Sequence, residues 1–110
     1  MALSKQPYYS TKDQIIANIG RAHSHSARVK ILKQLAAKGE CCVQEIAEGH
    51  PISKATLSNH LKILREAHLV KWYEQFPYTF YSLNDKTISI VRQEITNFLD
   101  QVQINGIDSK

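Results

Sequence analysis

The stretch that most limits how this chain folds is "GHPIS", residues 49–53. It places a helix stop and a helix start back to back. Gly49 ends a helix easily, Pro51 blocks continuation because its ring removes an N–H, and Ser53 brings a hydroxyl suited to capping the next helix. Before it, "VQEIAE" at 43–48 reads as a short helix with Val43, Ile46 and Ala47 turned inward. After it, a capped helix runs from Ser53 to about Ala67. A short helix, a tight turn and a second capped helix make a helix-turn-helix.

The rest of the chain wraps this unit. From Ser10 or Thr11, either able to cap, the pattern is helical: Asp13 falls in the first turn, and Ile15, Ile16 and Ile19 make a stripe. "HSHS" at 23–26 interrupts it and offers hydroxyls to cap a second helix. That helix carries Val29, Ile31, Leu32, Leu35 and Ala36, and Gly39 ends it. Beyond the helix-turn-helix, "LVKWYEQ" and "YTFYSL" are aromatic and β-branched, with a turn near Phe76–Pro77, and predict a hairpin. Asn84 or Asp85 then caps a last helix with one apolar stripe: Ile88, Val91, Ile95, Phe98 or Leu99, and Val102. Residues 1–9 read as a flexible tail, 10–104 as one domain built around the helix-turn-helix, and 105–110 as a fraying end.

At 110 residues with 43% hydrophobic and 22% charged side chains, the balance suits one globular domain with a modest core. No apolar run approaches a membrane span, and "MALSKQPYYS" has no apolar stretch of signal-peptide length, so the expected place is the cytoplasm, with no membrane partner. Two adjacent cysteines are no disulfide framework. The net charge is +4, and Ser53 to Lys71 holds Lys54, Lys62, Arg65 and Lys71 against Glu66 alone. Most of the excess charge therefore sits in these 19 residues, a clustering that suits a phosphate-facing surface.

A helical wheel sharpens that. With about 100° per residue, Leu57, Leu61 and Leu64 share the inner face. Ala55, Asn59, Lys62 and Glu66 lie opposite, flanked by Thr56 and Ser58. Small residues, hydroxyls, an amide and lysines are what a DNA major groove takes: Asn pairs with adenine, Lys meets guanine or phosphate, and Ala55 fits a thymine methyl. A plain solvated face has a similar composition; the helix-turn-helix and the hairpin favour DNA. There is no Gly-rich phosphate loop, nucleophile motif or carboxylate cluster, so no enzyme is expected.

"RAHSHSARVKIL", "GECCVQEIAE" and "ISKATLSNHLKILREAHLV", followed by "YTFYSLN", together resemble the ArsR-type winged-helix transcriptional regulators, in order and over roughly Ala22 to Asn84. The resemblance implies a mainly α fold with about five helices and a β-hairpin wing. It also implies a homodimer formed through the first and last helices, with paired recognition helices in double-stranded DNA, typically as a repressor. Carried over by position, the DNA-contacting residues are Ser53, Lys54, Thr56, Ser58, Asn59, His60 and Lys62. The wheel supports Thr56, Ser58, Asn59 and Lys62; His60 falls at the edge of the core, where either a buried hydrogen bond or a phosphate contact is open. For the dimer, Ile15, Ile19, Ile88, Val91, Ile95, Phe98, Leu99 and Val102 are the candidates.

Three departures from the family stand out. The wing tip "EQFPYT" has no basic residue, leaving Phe76 or Tyr78 to meet a deoxyribose or simply to stack, as Trp72, Tyr73, Phe80 and Tyr81 do. His68 stands where relatives usually have Gly, and a left-handed cap is harder for His. Thiol sensors of the family use Cys-x-Cys; here Cys42 takes the first position and Gln44 the second, a poor ligand for soft metals. Cys41 falls on a usually apolar position and is expected to point inward. The last helix has no histidine for a zinc site, and His23, His25, His50, His60 and His68 form no i, i+4 pair. The expectation is a regulator with no metal, no cofactor and an unassigned effector. The rivals are a redox or metal sensor built on Cys41 and Cys42, and a winged helix used to bind protein.

Overall fold

Local capping chemistry sets where each helix begins. Ser10 opens α1 (Thr11–Ala22): its Oγ accepts from the Asp13 amide at 3.0 Å, and the Asp13 carboxylate accepts from the Ser10 amide at 3.3 Å, a reciprocal capping box. For α2 (Ser26–Lys38) the cap is not a hydroxyl of "HSHS": His25 Nδ1 accepts from the Ala27 amide at 3.0 Å. An unprotonated imidazole nitrogen is as good an acceptor as a hydroxyl. Gly39 closes α2 at φ 88°, a backbone open to glycine and strained for other residues.

The computed structural model describes residues 8–108. After α2 come β1 (Glu40–Cys42), α3 (Val43–Glu48), α4 (Lys54–Glu66), β2 (Val70–Gln75), β3 (Tyr78–Leu83) and α5 (Asp85–Asp108). The expected hairpin is therefore part of a three-stranded antiparallel sheet in the order β1-β3-β2, with Cys41 opposite Tyr81 and Trp72 opposite Tyr81 on the other side. The short β1 carries no alternation long enough to reveal it in sequence. Asn84 caps α5 by accepting from the Thr87 amide at 3.3 Å. That helix continues to Asp108, past the boundary expected at 104. One glycine inside a helix costs about 1 kcal/mol, too little by itself to end one already propagating. The expected tail at 1–9 falls mostly outside the described residues.

One core joins these elements. Ala22 of α1, Ile31 and Leu35 of α2, Ile46 of α3, and Leu57, Leu61 and Leu64 of α4 meet Cys41, Leu69, Val70 and Tyr81 from the sheet side. Ile88 and Val91 of α5 pack against its edge, and α1 lies against α5. No helix among the described residues is long and apolar enough to cross a membrane.

Candidate nucleic-acid interface

The α4 helix is held at both ends by its own residues. Ser53 Oγ accepts from the Thr56 amide at 3.1 Å and donates to Thr56 Oγ1 at 3.0 Å. The Thr56 hydroxyl thus keeps its own proton free for an outside acceptor. At the far end the His68 amide donates to Arg65 O (2.9 Å) and the Leu69 amide to Leu64 O (3.1 Å). This is the paired closure that needs a left-handed residue, and His68 supplies it at φ 60°. Leu64 and Leu69, both buried, bring the apolar contact that accompanies such a cap.

Between these caps the helix divides as the wheel requires. Leu57, Leu61 and Leu64 are buried, while Lys54, Ala55, Thr56, Ser58, Asn59 and Lys62 are exposed on one continuous face, as is Ser53 before them. The turn before α4 is braced from α2. Gln34 Nε2 donates to Ile46 O at 3.3 Å, His50 Nε2 donates to Gln34 Oε1 at 2.8 Å, and Lys30 donates to Gly49 O. A Cβ on Gly49 would lie 2.6 Å from Gln34 Nε2, so this approach requires glycine or a displaced Gln34.

One candidate does not belong to the outer face. His60 is 5% exposed, and its Nδ1 accepts from Arg28 Nη1 at 2.9 Å. A side chain enclosed at that depth does not reach a phosphate, so the buried alternative is the correct one. Burial, with His25 and Arg28 close by, pushes the His60 pKa below its usual value. Arg28, itself 7% exposed, is the residue that sequence reasoning missed. Its partner lies 32 positions away, and no local pattern announces such a pair.

The wing carries aromatic rather than cationic surface. Phe76 at the tip is 97% exposed, and Trp72, Tyr73 and Tyr78 are about half exposed. Tyr73 stacks on Phe80 with ring centres 5.3 Å apart and donates to Glu40 at 2.7 Å, tying β2 across β3 to β1. Of the four aromatics expected to pack, only Tyr81 is fully buried; Trp72 faces outward beneath the Arg65 guanidinium, 4.9 Å from its ring centre. A cleft of about 330 Å³ between α4 and the wing is lined by Ser58, Arg65, Trp72, Glu74 and Thr79.

The two cysteines are separated by the strand that carries them. Cys41 is buried opposite Tyr81, and Cys42 sits opposite Phe80. Successive residues of a strand point to opposite faces, so the sulfurs diverge and cannot bond while β1 is paired. Cys42 is instead the N-cap residue of α3, its amide donating to Glu45 Oε1 at 2.9 Å. Among the described residues no group of three or more His, Cys, Asp and Glu side chains is gathered as a metal ion needs.

Of the residues expected at a dimer contact, Ile19 is buried within the chain itself, where α1 packs on α5. Ile15, Ile88, Val91 and Ile95 are half-buried, and Phe98, Leu99 and Val102 remain exposed at 41%, 48% and 59%.

Known proteins share this arrangement. The sequence model of the family described as "Bacterial regulatory protein, arsR family" matches residues 25–71, from the cap of α2 into β2. The chain is 32% identical over 92 residues to a cadmium resistance transcriptional regulatory protein CadC homolog of Staphylococcus aureus, covering 84% of this chain and 74% of that one. It is 32% identical over 84 residues to the transcriptional repressor SdpR of Bacillus subtilis, covering 76% and 92%. Among solved structures, the transcriptional repressor BigR from Xylella fastidiosa superposes with a TM-score of 0.60 at 26% identity, over 92% of each chain.

Proposed function

Since this chain belongs to the ArsR family of bacterial regulatory proteins, and is a DNA-binding transcriptional regulator, we propose that it acts as a homodimeric repressor reading DNA with α4. The observation that carries the proposal is the exposed face of α4. Lys54, Thr56, Ser58, Asn59 and Lys62 line it, Ser53 fixes its start, and the opposite face is locked into the core. Asn59 and Ser58 suit base edges; Lys54, Lys62 and the Thr56 hydroxyl suit phosphates. Ala55 leaves room for close approach. His60 has no direct contact in this reading.

A dimer supplies the second recognition helix. The exposed apolar stripe of Phe98, Leu99 and Val102 on α5 supports it, joined by the outer edges of Ile15, Ile88, Val91 and Ile95. Two α4 helices related by a two-fold axis read half-sites about one helical turn, roughly 34 Å, apart. The cytoplasm, where DNA lies, is the place this function requires.

The relatives' names speak of cadmium resistance and of repression. At the thiol position this chain keeps Cys42 but has Gln44, and Cys41 is turned into the core. The repressor reading therefore stands without a thiol sensor built from this pair. Selection from a pool of random duplexes tests it: a roughly two-fold symmetric site is the expected outcome, and no enriched site would sink the proposal in favour of a protein-binding winged helix.

A further inference from the structure

Among the described residues no carboxylate lies against the buried cation Arg28. All three of its guanidinium nitrogens are nevertheless engaged. Nε donates to Ala22 O at 3.1 Å, Nη2 to Arg21 O at 3.1 Å and to Ser24 Oγ at 3.0 Å, and Nη1 to His60 Nδ1 at 2.9 Å. Two of those acceptors are carbonyls of the last turn of α1, where the helix dipole is negative and partly offsets the charge. The fourth bond is the only one to leave the α1–α2 corner, and it ends on α4, between Asn59 and Leu61. A guanidinium has donors only, so His60 Nδ1 must accept, and its ring proton sits on Nε2.

We propose that Arg28 is a positioning residue for DNA binding: through a neutral His60 it holds α4 in register with the end of α1, and protonation of His60 releases that hold. This rests on the reading of α4 as the DNA-contacting helix. Once Nδ1 carries a proton, two donors and two cations face each other across a hydrogen-bond distance in a buried site. The charged groups around it do not relieve this. His25, at the start of α2, lies with its ring centre 4.4 Å from that of His60. His50, in the turn before α4, and Arg28 also act on it with the same sign, and Arg21 of α1 is occupied by Glu66 at 4.0 Å. Because α1 packs on α5, the same bond links the helix layer proposed for dimerisation to the helix proposed for DNA.

The sign of the pH effect separates this device from ordinary histidine titration. Positive charge gained elsewhere on the protein strengthens binding to phosphate. Protonating His60 weakens binding by displacing Asn59 and its neighbours. The test measures affinity for a fluorescein-labelled duplex, taken from random-pool selection, between pH 7.5 and 5.5 at constant ionic strength. The expected result is a loss of affinity for the natural protein that grows as the pH falls toward 5.5. His60→Asn, whose Oδ1 is bonded to Cγ as Nδ1 is and can still accept from Arg28 without titrating, should hold its pH 7.5 affinity to within about twofold at pH 5.5. Arg28→Lys, which keeps the charge but not the fork, should lose about tenfold at pH 7.5. Nitrogen-15 histidine spectra of the natural protein give a readout free of DNA and of any variant's folding: His60 Nδ1 unprotonated at pH 7.5, with the Ser58 to Lys62 amide resonances moving as His60 titrates. A proton found on Nδ1 at pH 7.5, affinity unchanged or rising on acidification, or a His60→Asn profile that follows the natural protein overturns the proposal and leaves the repressor reading intact. No selected duplex at any pH overturns both.

Discussion

His68 shows how much one backbone angle settles. Its φ of 60° completes the closure of α4, yet an L side chain in that region costs about 1 kcal/mol that glycine does not. His68→Gly is expected to raise unfolding stability by about that amount in urea titration, and His68→Val, with its β-branch, to lower it. The cysteines give a second test at this scale. Burial, helped by the nearby Glu45 charge, pushes the Cys41 thiol above its usual pKa. Under native conditions a thiol reagent should modify Cys42 first and Cys41 only as the chain opens, and mass spectrometry after brief alkylation distinguishes them. Equal rates would mean that β1 is not paired as described.

Helix α4 is where sequence and structure agree most closely. Its period, its serine cap and its polar face all lie within one stretch, so nothing distant is needed to read them. Ser53→Ala removes the Thr56 amide's acceptor and is expected to cost about 1 kcal/mol of stability in denaturant unfolding. The outer face divides by role. Asn59→Ala should relax sequence preference in binding assays on mismatched sites. Lys62→Ala should weaken all sequences alike and reduce the slope of log K against log salt by about one. Equal and uniform losses would mean the face is misassigned. What α4 does not display is the fate of His60, since a wheel places it at the core's edge and only Arg28, from another helix, draws it inside.

Across the whole molecule, two histidines make stability depend on pH. Burial leads in lowering both the His50 and His60 pKa, with nearby positive groups adding to it. The unfolded chain, with both near 6.5, therefore binds more protons in mildly acid solution than the folded one. Stability from these groups is complete above about pH 6.5 and is lost as pH falls below it, which a series of melting curves from pH 7.5 to 5 should display. Assembly is tested at the same scale. Leu99→Asp or Val102→Asp puts a charge on the exposed stripe of α5, and light scattering or sedimentation should find monomers with much weaker DNA affinity. A fold unchanged by circular dichroism would show that the loss is one of assembly.

The sequence by itself determined the five helices, the turn at 49–53, the hairpin and the polar face of α4, because caps, periodicity and breakers act within a few residues of one another. It also placed Cys41 inward by its position in the resemblance. Tertiary structure alone decided the rest. The three-residue β1 exists because β3 offers it a free edge. Cys41 and Cys42 are kept apart because that strand turns them to opposite faces. Ile19 is buried within the chain itself because α1 packs on α5. Arg28 and His60 meet because α2 and α4 pack side by side around one core. Hydrogen bonds and burial between residues dozens of positions apart leave no local pattern, and here they join a buried arginine of α2 to a buried histidine of α4.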